Sequence, residues 1–302
     1  MKRLLILALL LGCSQPQPVA PDTPRLTPGV TLKDITFHSN ALNRDMHYRV
    51  ILPTNTPNRL PAIYLLHGIN SRFTDWTNNS NVASFATHGY ILIMPQGDDS
   101  YYTNSATVPA DRYEDYIATD LIRDAESRFP IINNRASRAV IGVSMGGFGA
   151  LNLAFKHPDL FHFVAALSPA IDVTRRRFSL KRMAQTRHFA AIFGGDETPS
   201  RRANDPFLLA AHANPATLPT FYITCGDREP LLAPNRDFTT SLTNHHIPFT
   251  FTEVHGGHDW SNWNAQLPAS SPRSNISHVR NAKVIVQQSM FRRLLSLPEK
   301  LV

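Results

Sequence analysis

A single serine stands between glycines where an apolar run ends and a helix-like pattern begins, in VIGVSMGGFGALNLAF, residues 140–155. Gly142, Ser144 and Gly146 have the spacing G-x-S-x-G, which in a strand-to-helix turn lifts the serine hydroxyl above the edge of a sheet. The turn is tight, so only small neighbours fit beside the strained serine. The N–H groups that begin the helix would stabilise negative charge on a carbonyl under attack. The pattern predicts that Ser144 is a nucleophile; the alternative is a serine that only caps the helix.

A serine nucleophile needs a base, and in this turn context the expected chain order is serine, acid, histidine. The segment VHGGHDWSNW, residues 254–263, contains two histidines, and of these His258 lies in a glycine-preceded loop. His255 and His258 could instead bind a metal ion. No H-E-x-x-H pattern accompanies them, which argues against a metal site. His258 is therefore the candidate base.

The orienting acid is expected in CGDREPLL, residues 225–232, which ends a strand-like run and offers Asp227 and Glu229. A carboxylate in this role holds the histidine ring in the correct tautomer and orientation. Both side chains could instead be solvated loop charges, or one of them could pair with Arg228. The residues alone leave the choice between Asp227 and Glu229 open.

Seven short apolar runs, each of strand length, alternate with longer segments that are compatible with helices. The runs are DMHYRVILP, LPAIYLLHG, GYILIMPQG, SRAVIGVS, FHFVAALSPA, TFYITCGD and FTFTEVHGG. Residues 113–129, YEDYIATDLIRDAESRF, are a clear helical candidate. This alternation predicts an α/β fold whose mostly parallel central sheet is covered by helices on both faces. In such sheets functional groups collect at the carboxyl ends of the strands.

The composition suits one globular unit. The chain has 302 residues, 42% of them hydrophobic and 18% charged, which is enough for one sizeable core. Its net charge of +7 is compatible with nucleic acid, an anionic membrane surface or simple solubility. No tract of Lys and Arg interleaved with aromatic residues and no zinc-ligand spacing is present in the sequence. We therefore expect neither a nucleic-acid partner nor a metal.

The N-terminal stretch MKRLLILALLLGC has a basic start, an apolar run and a small residue, which is the layout of an export signal. The run is too short for a permanent membrane span, which needs about 20 apolar residues. LLGC resembles the bacterial lipobox, and this resemblance implies cleavage before Cys13 and a lipid on Cys13. The alternative is an ordinary cleaved signal with an incidental cysteine. We therefore expect an exported protein that is lipid-anchored in the bacterial cell envelope.

These observations divide the chain into a signal (residues 1–13), an extended proline-rich tether (14–29) and one domain (30–302). If Cys13 carries lipid, Cys225 has no partner within the chain, so no disulfide is expected. A closing helix is expected within a few residues after NWNAQLP. A polar stretch intervenes instead before VIVQQSMFRRLLSL, which has the pattern of an appended amphipathic helix.

Five segments together resemble the motifs of one bacterial esterase family, in the family's order. They are LLHGINSRFTDW, MPQGDDSYYTN, VIGVSMGGFGAL, CGDREPLLAPNRDF and GGHDWSNW. The family includes tributyrin-type esterases, S-formylglutathione hydrolases, feruloyl esterase domains and antigen 85 mycolyltransferases, and the similarity runs over about residues 32–267. The resemblance implies the α/β-hydrolase fold and ester chemistry, with Ser144 as nucleophile and His258 as base. It favours Glu229 over Asp227, because the family's acid stands four residues after the cysteine; most relatives have Asp there, and the mycolyltransferases have Glu.

The resemblance also implies the oxyanion donors. These are the main-chain N–H of Met145, directly after the nucleophile, and that of Ile69, in the loop after IYLLHG. His67 is expected to pack beneath that loop in a structural role. Tyr102 and Asn104, in DDSYYTNS, are candidate substrate contacts, with loop packing as the alternative reading for both.

Two further features bear on the substrate. Trp260, which follows the candidate base, is a third candidate substrate contact. Residues 168–220 form the variable region that commonly covers the site in this fold, and this region is rich in basic side chains. They are Arg175, Arg176, Arg177, Lys181, Arg182, Arg187, Arg201 and Arg202. A solvated basic face near anionic lipid is favoured over a clamp for an anionic substrate.

The sequence thus predicts a secreted or lipid-anchored serine esterase for short-chain acyl or carbohydrate-linked acetyl and feruloyl esters, acting through an acyl-enzyme without cofactor or metal. An acyltransferase of the mycolyltransferase type is an alternative, because an alcohol can replace water in the second step. A non-catalytic surface binding protein on a hydrolase scaffold is another, although the complete set of three side chains argues against it. Export argues against S-formylglutathione hydrolysis, since it removes the protein from the cytoplasmic thiol pool.

Overall fold

The architecture is a single eight-stranded sheet, seen in a computed structural model that describes residues 21–56 and 58–270. The strands are β1 (Val30–Ser39), β2 (Arg44–Pro53), β3 (Ala62–Leu66), β4 (Ile91–Pro95), β5 (Arg138–Val143), β6 (Phe163–Leu167), β7 (Thr220–Gly226) and β8 (Phe249–Val254). Their order in the sheet is β1-β2-β4-β3-β5-β6-β7-β8. β2 pairs antiparallel with β1 and with β4, whereas all other neighbours are parallel.

Helices connect the strands and cover the sheet. The α-helices are α1 (Asp75–Asn79), α2 (Ser84–Thr87), α3 (Tyr113–Asp115), α4 (Ile122–Arg128), α5 (Met145–Lys156), α6 (Met183–Phe193), α7 (Pro199–Ala203), α8 (Pro206–His212), α9 (Leu232–Asn244) and α10 (Trp260–Ser270). A π-helical segment, Tyr116–Leu121, joins α3 to α4, so the helix predicted over residues 113–129 is continuous. Short 3₁₀ turns are formed by Arg135–Ser137, Val173–Arg175, Leu180–Arg182 and Pro215–Thr217.

Burial explains why the strand signal in the sequence is strong. β3, β4, β5 and β6 are buried at every position, as expected for parallel strands with helices on both faces. Two apolar clusters lie on opposite faces of the sheet: one includes Phe148 and Leu151 of α5, and the other includes Trp76 of α1 and Phe85 of α2. The fold is the predicted α/β-hydrolase fold. Each of the seven predicted runs contains a strand, and the edge strand β1 was not among them.

The N-terminal boundary of the folded unit differs from the prediction. Buried Arg49 donates to both carboxylate oxygens of Asp22, at 3.0 and 2.5 Å, and to Asp34 at 2.7 and 2.8 Å. The N–H of Arg25 donates to the Thr77 carbonyl at 2.8 Å. The predicted tether, residues 14–29, is therefore packed on the domain from Asp22 onward, because this carboxylate compensates a buried guanidinium.

The closing helix also differs from the expectation. α10 contains the NWNAQLP segment itself instead of following it. The predicted signal, Cys13 and the segment VIVQQSMFRRLLSL lie outside the described residues. Within residues 21–56 and 58–270, no helix has both the length and the apolar character that crossing a membrane requires.

Candidate active site

Ser144 lies on a sharp turn between β5 and α5. Its backbone has φ 54° and ψ −112°, a conformation that costs a non-glycine residue about 1–3 kcal/mol. A Cβ at position 142 would collide with the carbonyl of Gly146, and one at position 146 would collide with the carbonyl of Leu66. The two glycines of G-x-S-x-G are therefore required by backbone that passes within contact distance on either side of the serine.

Three side chains form one hydrogen-bonded line at this turn. His258 Nε2 lies 2.9 Å from Ser144 Oγ, and His258 Nδ1 lies 2.6 Å from Glu229 Oε2. Since the carboxylate only accepts, Nδ1–H donates to Glu229, which leaves Nε2 free to accept the serine proton. Ser144 is 7% exposed, the Glu229 side chain is fully buried and the His258 side chain is 33% exposed. The arrangement has the geometry of a nucleophile, a base and an orienting acid.

The structure separates the two candidate acids. Glu229 Oε1 accepts from the Ser168 hydroxyl at 2.6 Å and from the Gly226 N–H at 2.8 Å, while Oε2 faces His258. Asp227 instead pairs with His255, with 2.9 Å between Oδ2 and Nδ1. The hydrogen bond with exposed His255 holds the pKa of Asp227 below its usual value. Asp227 and His255 thus form a separate exposed pair outside the hydrogen-bonded line.

Residues that the sequence analysis did not single out hold Glu229 in place. Ser168, at φ 49° directly after β6, donates to Glu229 and accepts from the indole N–H of Trp263 at 3.1 Å. The Trp263 ring also meets His258 edge-on, at 5.0 Å between ring centroids. Asn262 Nδ2 lies 3.5 Å from Glu229 Oε1. One signal was available for Ser168, which like Ser144 is polar and follows a buried strand at its carboxyl end.

The predicted oxyanion donors lie beside the serine. A Cβ on Gly68 would be 3.6 Å from the Cβ of Ser144, which places the loop after β3 directly against Ser144. Within the described part of the chain, no acceptor is paired with the N–H of Met145 or Ile69. Asn70 adopts φ 56°, and its N–H donates to Asp99 Oδ1 at 2.7 Å, which holds the loop in place. Neither N–H group thus has a main-chain acceptor among the described residues that would compete with an oxyanion, and their role as donors stays a prediction.

His67 lies fully buried beneath this loop, in the structural position that the sequence predicts. Its Nδ1–H donates to the Gly68 carbonyl at 2.8 Å, and its Nε2 accepts from the Gly97 N–H at 2.9 Å. This pair of contacts requires the neutral ring. Burial lowers the pKa of His67 correspondingly.

The buried neutral ring predicts an acid-sensitive fold. The unfolded chain binds a proton at His67 below about pH 6.5, and the folded chain excludes it, so the free energy of unfolding should fall as pH decreases from there. One such proton contributes about 1.4 kcal/mol per pH unit. Urea unfolding between pH 7 and pH 5 should show a shallower pH dependence for His67→Gln than for wild type. The exposed His88→Gln is the matched control, and an equal change of slope in both variants would contradict the prediction.

The structure places the three candidate substrate contacts differently. Tyr102 is 1% exposed and its hydroxyl donates to the His67 carbonyl at 3.1 Å, so its ring supports the loop and is not accessible to substrate; that prediction is corrected. Asn104 donates to Asp115 Oδ1 at 3.0 Å, which is a loop-packing role. Trp260 is half-buried, 5.3 Å from the Trp263 ring. Of the three, Trp260 lies near His258, because its ring contacts the ring of Trp263, which in turn contacts His258.

Much of the charge in the basic region is compensated by neighbouring acids. Arg175 pairs with Asp205 at 2.9 Å, Arg176 with Asp172 at 2.8 Å and Arg177 with Glu197 at 2.5 Å. Buried Arg201 donates to main-chain carbonyls, those of Arg176 and Gly194 both at 2.9 Å. These four arginines are thus largely occupied by contacts within the region, which weakens the idea of an anionic-substrate clamp at residues 175–177.

Cys225 lies buried at the end of β7, next to Glu229. Burial, reinforced by the nearby Glu229 charge, raises the pKa of its thiol to about 12. A thiol with that pKa remains protonated at neutral pH and is a poor nucleophile. Cys225 is therefore a poor candidate for a nucleophile at this site.

Comparison with known proteins agrees with the fold and the motifs. The family model described as "Putative esterase" matches residues 39–274. An acetyl esterase from Caldicellulosiruptor saccharolyticus is 25% identical over 255 residues, covering 79% of this chain and 96% of that protein. The diacylglycerol acyltransferase/mycolyltransferase Ag85B of Mycobacterium leprae is 25% identical over 290 residues, covering 81% of this chain and 84% of that protein.

Solved structures show the same architecture. FphF, a fluorophosphonate-binding serine hydrolase of Staphylococcus aureus, superimposes with a TM-score of 0.68 at 25% identity, covering 80% of this chain and 96% of that chain. A ferulic acid esterase superimposes with a TM-score of 0.69 at 24% identity, covering 83% of this chain and 98% of that chain. The arrangement around Ser144 is thus carried by a scaffold shared with a known serine hydrolase.

Proposed function

The chain belongs to the esterase family, and on that premise we propose that it hydrolyses carboxylic esters, with Ser144 as nucleophile, His258 as base and Glu229 as orienting acid. The observation that carries the proposal is the continuous hydrogen-bonded line from Glu229 through His258 to Ser144. The Ser144 end of this line lies on the strained turn that precedes α5. The strain and the bonds bring the hydroxyl and its base together before any substrate arrives.

Acylation follows from this geometry. His258 Nε2 takes the proton of Ser144 as Oγ bonds to the ester carbonyl carbon, and the buried Glu229 carboxylate stabilises the resulting imidazolium. The N–H groups of Met145 and Ile69 hold the carbonyl oxygen as it becomes negative. His258 then gives its proton to the departing alcohol, and the acyl group remains on Ser144. Each donor of this kind typically contributes about 10²- to 10³-fold in rate.

Deacylation uses the same groups, with water in the place of the alcohol. Water bonds to the acyl carbon while His258 takes one of its protons, and that proton returns to Ser144 as the carboxylic acid leaves. The one-third exposure of the His258 side chain gives solvent water a path to the base. No step requires a group beyond the side chains and main-chain donors of this site.

The substrates that we propose are short-chain acyl esters and carbohydrate-linked acetyl or feruloyl esters. An acetyl esterase and a ferulic acid esterase among the similar proteins support this range. Trp260, half-buried and one ring removed from His258, offers an apolar surface for the acyl or alcohol part. We also propose export and lipid anchoring at Cys13, because the N-terminal sequence has the layout of a lipoprotein signal.

Covalent capture tests the nucleophile directly. A fluorophosphonate probe that resembles a short ester should add its phosphonyl mass once per chain, and peptide mapping should locate the adduct at Ser144. Ser144→Ala should remain unlabelled, because the activated hydroxyl is gone. Ser127→Ala is the matched control, since Ser127 Oγ only donates to the main-chain carbonyl of Asp124 on α4. Labelling that persists in Ser144→Ala would reject the proposed nucleophile.

An acyltransferase is the second candidate. The mycolyltransferases among the similar proteins and the glutamate at position 229, where the resemblance gives them the same residue, both favour it. The first step would be identical, and a bound alcohol would replace water in the second. Product analysis with added acceptor alcohols distinguishes the two: a hydrolase releases mainly free acid, whereas a transferase forms a new ester at low acceptor concentration.

A further inference from the structure

Three large apolar side chains project into solvent from one short segment. Phe178 is 56% exposed, Leu180 80% and Met183 41%. Phe178 precedes the 3₁₀ turn Leu180–Arg182, Leu180 begins that turn and Met183 is the first residue of α6. The buried side chains of α6 are those of Thr186, Phe189, Ile192 and Phe193. Grouped exposed apolar side chains of this size are uncommon on a soluble surface and mark a contact with another phase or molecule. Residues 178–187 are called the docking segment below.

Unpaired basic side chains are interleaved with these apolar ones. Lys181, Arg182 and Arg187 are exposed, and none of them has an acidic partner in the part of the chain that the structure describes. The arginines just before the segment differ, since each has a carboxylate at 2.9 Å or less. Uncompensated positive charge is therefore concentrated where the apolar side chains are exposed. A surface with both properties is complementary to an anionic lipid interface.

The helix α6, which continues the docking segment, contacts loops at the carboxyl edge of the sheet that carries Ser144. It belongs to the long connection after the carboxyl end of β6. His188 Nε2–H donates to the main-chain carbonyl of Asp99 at 3.0 Å, and the Asp99 carboxylate accepts from the N–H of Asn70 at 2.7 Å. Two hydrogen bonds thus connect α6 to the loop that presents the Ile69 N–H.

Other exposed apolar side chains lie near the same edge. Ile69 is 37% exposed on the loop after β3, and Val108 is 42% exposed on the loop after β4. The loop of Val108 contacts α6, because Ser105 and Thr107 both donate to the Ala191 carbonyl, at 3.0 and 2.6 Å. The loop of Val108 is thus joined to the helix that continues the docking segment.

We propose that the docking segment binds the surface of an anionic lipid bilayer, with Phe178, Leu180 and Met183 inserted at the headgroup boundary and the basic side chains paired with lipid charges. Apolar insertion and electrostatic attraction reinforce each other in such contacts. Docking would turn the edge that carries Ser144 toward esters held in or near the bilayer. The proposal concerns binding alone and does not depend on the esterase assignment.

The test is vesicle sedimentation with residues 14–302, which retain every residue that the structure describes and cannot carry a lipid at position 13. Wild type should sediment with vesicles of phosphatidylcholine containing phosphatidylglycerol and should remain in the supernatant with phosphatidylcholine alone. Removing three basic side chains should weaken binding about a hundredfold, at about fivefold for each charge. Removing the three apolar side chains should weaken it about tenfold or more. The variants are K181Q/R182Q/R187Q and F178S/L180S/M183S.

A charge-matched control separates the segment from the net charge of the protein. K33Q/R59Q/R123Q removes three exposed basic residues from other parts of the fold, none of which has an acidic partner within the described residues, and it should bind as wild type does. Equal weakening in this control, or full binding by the apolar variant, would overturn the proposal, because either result means unspecific attraction between charges. Absence of wild-type binding, or binding retained by both segment variants, would overturn it too. Unchanged thermal midpoints show that the variants are folded.

Discussion

Replacing Ser144 with alanine is expected to lower kcat for p-nitrophenyl acetate by about a millionfold, as happens when the nucleophile of a hydrogen-bonded Ser-His-acid set is removed. The size of the loss follows from the geometry, because Ser144 Oγ is the hydroxyl that His258 Nε2 contacts, at 2.9 Å, within residues 21–56 and 58–270. The residual rate should come from the main-chain oxyanion donors and from substrate binding. Steady-state kinetics with titrated active sites measures the effect.

The same mechanism predicts that the losses of kcat caused by replacing Ser144 and His258 are not additive. Ser144→Ala/His258→Ala should be no slower than Ser144→Ala, since groups that act as one unit lose their effect together. Multiplied losses would mean that His258 acts independently of Ser144. Ser127→Ala, which removes an exposed serine hydroxyl on α4, should retain the full wild-type rate.

The parts of the fold and the site that the sequence predicts are those encoded by local patterns. The buried strands are continuous apolar runs ended by Gly, Pro or Asp, and a strand buried on both faces leaves that signal regardless of its partners. The turn at Ser144 is equally local, because the backbone crowding that demands Gly142 and Gly146 arises within a few residues and the adjacent strand. His258 was identified from its glycine-rich loop and its place in the chain order.

Long-range contacts make up the part of the site that the sequence does not reveal. Ser168 reaches Glu229 across 61 residues and Trp263 across 95, and no periodicity encodes such pairings. The compensation of Arg49 likewise depends on the pairing of β1 with β2, which sets Asp34 opposite Arg49, and on the course of the N-terminal segment that carries Asp22. A buried arginine in a predicted strand gives no indication of where its carboxylates are. These contacts can be predicted only once the strand order is known.

Tyr102 shows how a motif can be located correctly and still be misassigned. DDSYYTNS does border the loop that carries the Ile69 N–H, as Asp99 and Asn70 demonstrate. The Tyr102 ring, however, packs against Gly97 and Gly149, beneath the surface that substrate meets. The sequence alone did not decide whether a tyrosine at such an edge points out or in, because either orientation suits its apolar ring and polar tip.

Glu229→Gln is expected to lower kcat by about 10⁴-fold, whereas Asp227→Asn should change it less than severalfold. The amide that Glu229→Gln introduces can keep its oxygen toward the Ser168 hydroxyl and the Gly226 N–H, both of which donate to Glu229 Oε1. The NH₂ group of that amide then faces His258 Nδ1 and favours the tautomer in which Nδ1 accepts and Nε2 carries the proton. In that tautomer His258 no longer accepts the proton of Ser144. Steady-state kinetics of both variants on one ester measures the difference.

The Asp227→Asn control makes this comparison informative, since the two carboxylates are only two residues apart on one loop. Asp227 contacts exposed His255 and the Gly256 N–H, so its loss disturbs the loop surface and leaves the line from Glu229 to Ser144 intact. Equal losses in both variants would mean that loop rigidity matters and that the tautomer does not. Glu229→Asp separates charge from reach: it retains the carboxylate but is one methylene shorter than the residue that lies 2.6 Å from Nδ1. Its rate should therefore fall between those of wild type and Glu229→Gln, with kcat the affected constant, because the acid acts on the transition state through His258 and does not touch the substrate.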